Sequence, residues 1–429
     1  MLSRVRARQP ARAAALGIVA ALAACASSPD QVPKADSEAI ARFQAGAYVG
    51  TAGGEVQTRR VSAPPSEAPW TIGLTRIADT DPAPTLRPLV IYLPSLGEAD
   101  DGRNHWVDVW AKAGYAVLAI QALPDDANVW ATQEARSGDF ERIARSRYGD
   151  ELMADRLTRL AALIAQIRAR GMARDPALQG LDWSHVALAG ADLGAYCIQS
   201  TLNSSARSLA AIAWPLQPMA YIVISPHATR NGTPMRLDPL VLGDSSPPPL
   251  GGDAGHAPVL MVSSLNDVDA YGIVTDPAVR RLAFARLGPD RQGASSDYYL
   301  EMQRASHRWL EGLSAGLGGS GEPAPKRALP PVTPGGIRNP QGLDKDDVSP
   351  GGDDDESTPE RKAMREAARA ELVRAHGREL TRIALSDATF SSVSIAFLDA
   401  YVRGRSDARH WLDASAPGWL TDGDRLKRR

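Results

Sequence analysis

The stretch Val186-Ala-Leu-Ala-Gly190-Ala-Asp192-Leu-Gly194-Ala-Tyr-Cys-Ile198 decides how this chain folds. It has the pattern of an apolar strand, a sharp corner flanked by glycines and the start of a helix. Asp192 lies at the corner, and Asp adopts positive φ more readily than most residues. Gly190 and Gly194, two residues before and after it, allow the strand and the helix to approach closely. The stretch therefore predicts a corner that projects the Asp192 side chain above a sheet.

Short apolar runs alternate with helical patterns along much of the chain. The runs predicted as strands are 70–77, 88–93, 115–120, 186–190, 221–225, 258–264 and 298–302. Apolar residues spaced four and three apart between Met153 and Ile167 predict one face of a helix that begins near Glu151. Val393, Phe397 and Tyr401 predict a last helix in the same way. This alternation predicts an α/β fold, a mostly parallel sheet covered by helices on both faces.

Two residues downstream of Asp192 complete a chemical pattern. Asp267 ends the apolar stretch 258–267, and His307 ends the stretch 298–307. The corner at Asp192 is the context of a nucleophile elbow, and nucleophile, acid and histidine in this order are typical of α/β-hydrolases. Upstream, the predicted strand 88–93 leads into a turn at residues 94–98. Leu96 in that turn and Leu193 after the corner are predicted to donate the N–H groups of an oxyanion hole.

From about residue 70 to residue 314, and again over the last helix, the chain resembles an α/β-hydrolase of the dienelactone-hydrolase and platelet-activating-factor-acetylhydrolase-like group. The segments that carry the resemblance are LPSLGE (93–98), AKAGYAVLAIQ (111–121), LAGADLGAY (188–196), PVLMVSSLNDVDAYG (258–272), YYLEMQRASH (298–307) and FLDAYVRG (397–404). The resemblance implies a triad of Asp192, Asp267 and His307 in which Asp192 replaces the usual serine. Pro94-Ser95 likewise stands where many members carry His-Gly.

The aspartate at the elbow leaves two interpretations open. Haloalkane dehalogenases and epoxide hydrolases resemble this fold and carry a nucleophilic Asp there, and a carboxylate is ionised at neutral pH without a base. His307 would then activate water to break the enzyme-bound ester. One hypothesis is therefore an envelope-anchored hydrolase that acts on a small-molecule substrate, either a small or medium ester or a halide or epoxide. The other is a non-catalytic binding or scaffold lipoprotein in which Asp192 is a relic.

Other features have weaker claims to function. Asp269 could orient His307 in place of Asp267, but an acid directly at the strand end suits the fold better. The string Gly312-Leu-Ser-Ala-Gly316 follows His307 and lacks a preceding apolar strand, so it does not predict a second elbow. The other histidines have no metal-ligand spacing, and most are predicted to lie on the surface or in loops. The sequence predicts no metal site and no cofactor.

The N-terminus has the charge and apolar order of a secretory signal. Arginines up to Arg12 precede a small and apolar run over residues 13–24, which is shorter than the roughly 20 residues that a membrane-spanning helix needs. Leu22-Ala-Ala-Cys25 resembles the lipobox of bacterial lipoproteins, whose cysteine is acylated. Ala26 rather than Asp follows, which in Gram-negative bacteria indicates the outer membrane. We expect a signal peptide over 1–24, a lipid anchor at Cys25 and a domain in the periplasm.

Composition bounds the partners and the domain plan. Lys plus Arg number 48 and Asp plus Glu number 50, a net charge of −2, so no nucleic-acid partner is expected. A Ser/Ala/Pro/Gly-rich flexible stalk is predicted over 25–66 and the α/β-hydrolase domain over 67–313. A Pro/Gly-rich disordered insertion or linker follows over 314–359. Helices over 360–415 are predicted to complete the domain, ahead of a tail over 416–429.

The predicted lipid anchor can be tested directly. Mass spectrometry of the protein from the membrane fraction should find Cys25 as the first residue, carrying two or three acyl chains. A Cys25→Ser variant should lose this mass and leave the membrane fraction. A mature protein that still begins with Met1 would contradict the prediction.

Overall fold

The apolar runs of the sequence form strands, and helices lie between them. The computed structural model describes residues 34–50, 53–64, 69–79, 86–99, 104–173, 175–202, 214–227, 256–269, 271–272, 274, 276–288, 296–312, 359–421 and 423–429. The strands are β1 (Val56–Arg60), β2 (Trp70–Ile77), β3 (Arg87–Leu93), β4 (Ala116–Ala122), β5 (Leu181–Ala191), β6 (Ala220–Ile224), β7 (Val259–Asn266), β8 (Tyr298–Ser306) and β9 (Arg425–Arg428). The helices are α1 (Ser37–Gln44), α2 (His105–Lys112), α3 (Gln133–Ser137), α4 (Phe140–Tyr148), α5 (Asp150–Met172), α6 (Leu193–Leu202), α7 (Arg280–Ala285), α8 (His307–Leu310), α9 (Pro359–Tyr401), α10 (Ser406–His410) and α11 (Ala416–Trp419).

These strands form one sheet in the order β1-β2-β4-β3-β5-β6-β7-β8-β9. The six strands from β4 to β8 in this order are parallel to one another. β1, β2 and β9 pair in antiparallel fashion at the two sides. The sheet is thus mostly parallel, as in an α/β-hydrolase-like fold, and the predicted fold class is confirmed. The parallel order also brings the carboxyl ends of β5, β6, β7 and β8 to one edge of the sheet.

Helices cover both faces of the sheet, as the sequence predicts. Alternate residues of β3 divide between two apolar layers: Leu89, Ile91 and Leu93 belong to one, and Val90 and Tyr92 to the other. The first layer contains the apolar face of α5, residues 153, 157, 160, 164 and 167, together with most of α6. The second contains α2 and the C-terminal part of α9, with residues 390, 393, 397 and 401. The buried central strands are apolar on both sides for this reason.

The structure corrects the predicted bounds of the stalk and the tail. Val56–Arg60, which the sequence assigns to the stalk, pairs with β2 as the outermost strand. Arg425–Arg428, which the sequence assigns to the tail, pairs with β8. Both strands are largely exposed and carry no apolar alternation, so only backbone pairing identifies them. The predicted signal peptide, Cys25 and nearly all of the predicted insertion lie outside the described residues.

The chain divides into two compact units. The described part of one comprises residues 34–41 and 359–384, and it includes a hydrogen bond of 2.7 Å from the Asp36 N–H to Thr381 Oγ1. The other comprises Arg42–Gly321 and Leu385–Arg429 and contains the sheet, so its bounds differ from the predicted 67–313 and 360–415. Among the described helices, the segment Ala363–Tyr401 is long and apolar enough to cross a membrane, and 56% of its apolar window is buried within the protein. Core helices share that property.

The corner after β5 depends on its two glycines. Asp192 adopts φ = 46° there, so the chain turns sharply from β5 into α6. A Cβ on Gly194 would overlap the carbonyl oxygen of Leu93 in β3, and a Cβ on Gly190 would lie 2.6 Å from the carbonyl carbon of Gly194. Backbone atoms cannot move aside as a flexible side chain does. The helix therefore packs against β3 and β5 only because both positions lack a side chain.

We predict that Gly194→Ala lowers the free energy of unfolding by about 3 kcal/mol or more, because the added methyl group forces the backbone of α6 away from β3. Denaturant unfolding measures this change. Gly53→Ala is the matched control, since a Cβ at Gly53 meets no atom within 4 Å. Its free energy of unfolding should stay within about 1 kcal/mol of that of the unsubstituted protein. Equal effects of the two substitutions would contradict the packing described for the corner.

Candidate active site

Asp192 lies at the corner as predicted, with its side chain fully buried. Tyr148, the last residue of α4, donates its O–H to Asp192 Oδ2 over 2.5 Å. His227, three residues beyond the end of β6, places Nε2 2.8 Å from Asp192 Oδ1. The rings of Tyr148 and Tyr196 also pack on that of His227, with centroids 5.3 and 5.6 Å away. Both carboxylate oxygens are thus held by buried aromatic side chains.

The environment of Asp192 favours its ionised form. Burial is the largest single effect and raises the pKa of the Asp192 carboxyl. The hydrogen bond and charge of His227, the charge of His307 and the hydrogen bond of Tyr148 together outweigh it, so the pKa lies below its ordinary value. Burial, followed by the charge of Asp192, raises the pKa of the Tyr148 hydroxyl well above its ordinary value. Tyr148 therefore keeps its proton and donates a hydrogen bond to an anionic Asp192.

Asp267 and His307 meet at the ends of β7 and β8, also as predicted. Asp267 Oδ1 lies 2.6 Å from His307 Nδ1, and Ser263 donates its hydroxyl to Asp267 Oδ2 over 2.8 Å. The fully buried guanidinium of Arg280 in α7 places Nε 3.0 Å from the same Oδ2. Burial raises the pKa of Asp267, but Arg280 and His307 lower it by more, so the pKa lies below its ordinary value. Asp267 is thus a fixed anion that orients the imidazole.

Arg280 also fixes the backbone around the site. Its Nη1 donates to the carbonyl oxygens of Ser225 and Pro226, at 2.8 and 3.1 Å, and its Nε donates to that of Asp267 at 2.9 Å. Ser225 has φ = 54°, which turns the chain after β6 toward His227. A single buried cation therefore holds the turns after both β6 and β7. Asp269, the alternative orienting acid, lies 3.9 Å from Arg280 Nη2, whereas Asp267 is the acid that accepts the hydrogen bond of His307 Nδ1.

The other side of His307 faces Glu311, one helical turn further on. His307 Nε2 lies 3.3 Å from Glu311 Oε1, and it makes no hydrogen bond of good geometry within the described part of the chain. Burial lowers the pKa of His307, but Glu311 and Asp267 together outweigh it, so the pKa lies well above its ordinary value. Asp192, His307 and Glu311 each offer one polar atom, and the three atoms lie within 4.8 Å of one another.

The turn after β3 contains Leu96, one of the two predicted oxyanion-hole residues. Leu96 and Leu193 are both buried, and the Tyr271 hydroxyl donates to the carbonyl oxygen of Leu96 over 3.0 Å. Their N–H groups remain the predicted donors of the oxyanion hole. Trp130 stacks on Tyr271 with ring centroids 5.5 Å apart and donates its Nε1 hydrogen to the carbonyl oxygen of Gly97. Aromatic rings therefore lie against this turn, and Trp130 is 41% exposed.

Glu98 holds the same turn from inside. Its carboxyl accepts hydrogen bonds from the N–H of Ser95 at 3.0 Å, the hydroxyl of Tyr92 at 3.1 Å and the side-chain amide of Asn104 at 2.8 Å. Asn104 also donates to the carbonyl oxygen of Glu311. Burial raises the pKa of Glu98 to about 8, more than its hydrogen bonds lower it. Glu98 is therefore mostly protonated at neutral pH and links the turn to the His307 helix.

A small cavity lies behind the elbow. Its volume of about 30 Å³ is room for about one water molecule. Leu193 and Gly194 line it, together with Cys197, Asp125 and Arg156, but Asp192 and His307 do not. The space lies beside α6 rather than above the carboxylate of Asp192.

Several residues of the site were missed by the sequence analysis. Most of the lone histidines were predicted to lie on the surface or in loops; His227 lies in the turn after β6, but its side chain is buried against Asp192. Its position just after the buried run 221–225 could have indicated it, because the ends of parallel strands meet. Glu311 follows His307 by four residues, the spacing of one helix face. Tyr148 and Arg280 have no comparable signal in the sequence.

Comparisons with known proteins find similarity among solved structures alone. No family model matches the chain, and no curated protein matches it. Among solved structures, a crystal structure of esterase B from Lactobacillus Rhamnosis (HN001) matches with 17% identity and a TM-score of 0.35, covering 68% of this chain and 83% of that one. The α/β-hydrolase-like fold of the present chain rests on its own strand order and elbow.

We predict that Glu98 makes the protein less stable as pH rises. The pKa of Glu98 is about 8 in the fold and about 4.5 when unfolded, so between these values the unfolded chain alone loses the proton. Its contribution is fully present below about pH 4.5 and is lost as pH rises through about 8. Denaturant unfolding measures the free energy of unfolding from pH 5 to 9. Over this range the value for Glu98→Gln should rise by a few kcal/mol relative to that of the unsubstituted protein. A constant difference across this range would contradict the prediction.

Proposed function

We propose that the protein is a hydrolase in which Asp192 attacks a small or medium ester, or a related electrophile such as a halide or epoxide. The observation that supports this most is the convergence of three groups at the carboxyl ends of β5, β7 and β8. Asp192 lies at the elbow with a positive φ, and Asp267 orients His307 through a hydrogen bond of 2.6 Å. The roles below follow from these positions and from ordinary carboxylate chemistry.

In the first step, a carboxylate oxygen of Asp192 attacks the electrophilic carbon and the bond to the leaving group breaks with its electrons on the leaving group. A halide is released as the anion, and an alkoxide oxygen takes a proton from water. No base is needed, because the carboxylate is already an anion. Tyr148 and His227 each use one lone pair of an Asp192 oxygen, and each oxygen has a second. The N–H groups of Leu96 and Leu193 are the proposed donors to a developing oxyanion.

In the second step, water attacks the carboxyl carbon of the Asp192 intermediate. His307 takes the proton of this water through Nε2, while Asp267 keeps Nδ1 protonated and stabilises the imidazolium that forms. The bond between the Asp192 carboxyl carbon and its attacking oxygen breaks, and the product leaves with that original Asp192 oxygen, protonated by the imidazolium of His307. The water oxygen remains in the Asp192 carboxylate. The acid form of His307 must lose its Nε2 proton before this step.

We also propose that the mature protein is held at the outer membrane through acylated Cys25, with the hydrolase domain in the periplasm and a small molecule as substrate. The lipobox at residues 22–25 and the Ala that follows support this location. No nucleic-acid partner is proposed, since the net charge is −2.

A non-catalytic binding protein is the second candidate, and one observation favours it. Asp192 is fully buried, and both of its oxygens accept hydrogen bonds from buried side chains. A site arranged only to satisfy a buried carboxylate would have this geometry. Screening the mature domain against an ester, halide and epoxide library, with His307→Ala beside it, separates the two candidates. If the unsubstituted domain turns over a substrate and His307→Ala does not, the hydrolase is supported. If neither the unsubstituted domain nor His307→Ala turns over any substrate, the binding protein is supported.

We predict a distinct isotopic result for covalent attack by Asp192. In a single turnover in heavy-oxygen water, the label should enter the Asp192 carboxylate, and the first product should carry unlabelled oxygen. His307→Gln should slow only the second step, by about 10²-fold or more, so the covalent intermediate should accumulate. Peptide mass spectrometry measures both the label and the adduct.

His185→Gln serves as the matched control, since His185 is half-exposed and pairs with Asp182 away from the elbow. It should turn over normally without accumulating an adduct. If the first product carries the label while Asp192 does not, water attacks the substrate directly and Asp192 is not the nucleophile.

A further inference from the structure

We propose that Asp192, His307 and Glu311 form a binding site for a divalent transition-metal cation, of which Zn²⁺ is the best match. The three side chains are buried, and one polar atom from each lies within 4.8 Å of the other two. An imidazole nitrogen with two carboxylate oxygens is a ligand set that Zn²⁺ accepts, whereas Mg²⁺ and Ca²⁺ prefer oxygen alone. Three protein ligands would leave a further position open for water or a ligand.

The spacing of the ligand atoms fits this cation. Bonds of about 2.0–2.1 Å in a tetrahedral site place the ligand atoms about 3.4 Å apart. His307 Nε2 and Glu311 Oε1 are already 3.3 Å apart. The largest separation in the group, 4.8 Å at most, would need to shorten by about 1.4 Å. The change has to come from His307 and Glu311, because Tyr148 and His227 hold the Asp192 carboxylate in place.

His307 has the orientation of a metal ligand. Its residue surface is only 6% exposed, and Nε2 makes no hydrogen bond of good geometry within the described residues. Asp267 accepts the hydrogen of Nδ1 at 2.6 Å, which directs the lone pair of Nε2 toward the two carboxylates. A carboxylate on the far nitrogen of a metal-binding histidine is the usual outer contact, because it fixes the tautomer and raises the basicity of the ligand.

Asp192 has outer contacts of the same kind. Tyr148 and His227 fix the position of its carboxylate, so it need not be ordered when a cation binds. Glu311 is held through its backbone, since Asn104 donates to its carbonyl oxygen over 2.6 Å and leaves the carboxylate available. The cation would displace the proton on His307 Nε2. It would therefore compete with the base role of His307 in the proposed hydrolysis, although the binding itself does not depend on that function.

Titration calorimetry on the purified full chain, stripped with a chelator, tests the site. Zn²⁺ should bind with one ion per chain, and Mg²⁺ should not bind. Glu311→Gln should weaken Zn²⁺ binding by about 10²-fold or more, since it removes an anionic ligand. Glu301→Gln is the matched control: it makes the same substitution at a buried acid that pairs with Arg281 and Lys427 outside the group, and it should leave the affinity for Zn²⁺ within about threefold. The melting temperature should rise with Zn²⁺ in the control but not in Glu311→Gln.

X-ray absorption of the Zn²⁺-loaded unsubstituted protein gives a second test that needs no variant. It should find nitrogen and oxygen ligands at about 2.0–2.1 Å with a single imidazole. Absence of stoichiometric Zn²⁺ binding, equal affinities of Glu311→Gln and the unsubstituted protein, or a site with two or more imidazoles would each overturn the proposal. Because these measurements involve no substrate, their outcome is separate from the isotopic test of Asp192.

Discussion

A charged carboxylate is held in the interior of this protein at the sharpest turn of its chain. An ionised group removed from water is costly unless hydrogen bonds replace its hydration, and Asp192 is fully buried. Tyr148 and His227 supply those hydrogen bonds, at 2.5 and 2.8 Å. They come from the end of α4 and from the turn after β6, so both elements must lie against the elbow. The placement of α4 and the positive φ of Ser225 follow from this requirement.

The second half of the site has its own internal support. Arg280 is fully buried among acidic side chains and backbone carbonyls. A buried ion pair is stable only if its polar atoms all have partners. Arg280 pairs with Asp267, which in turn holds Nδ1 of His307. Nε2 is left facing Asp192 and Glu311, a position that suits either a general base or a metal ligand. The same buried geometry thus carries both proposals for this site.

The sequence predicts those parts of the fold that depend on burial. Central strands are apolar on both faces, so their apolar runs stand out in the sequence. The ends of two such runs pointed to Asp267 and His307, and a third run led to the elbow at Asp192. β1 and β9 were assigned to a stalk and a tail because an exposed edge strand needs only backbone pairing, which leaves no apolar pattern. Tyr148 reaches Asp192 through the packing of α4, and Arg280 through that of α7. Contacts of this kind depend on tertiary structure and have no local signature.

The ionised state of Asp192 is the point on which the account depends, and carbon-13 NMR of the carboxyl groups measures it. The Asp192 signal is identified as the one that Asp192→Asn removes. We predict that it stays at the ionised position from about pH 8 down to about pH 4, because its pKa lies below the ordinary value, and that Tyr148→Phe moves the pKa upward. A signal that titrates with a midpoint above about pH 5 would contradict the account, since Asp192 would then be a neutral acid held by burial.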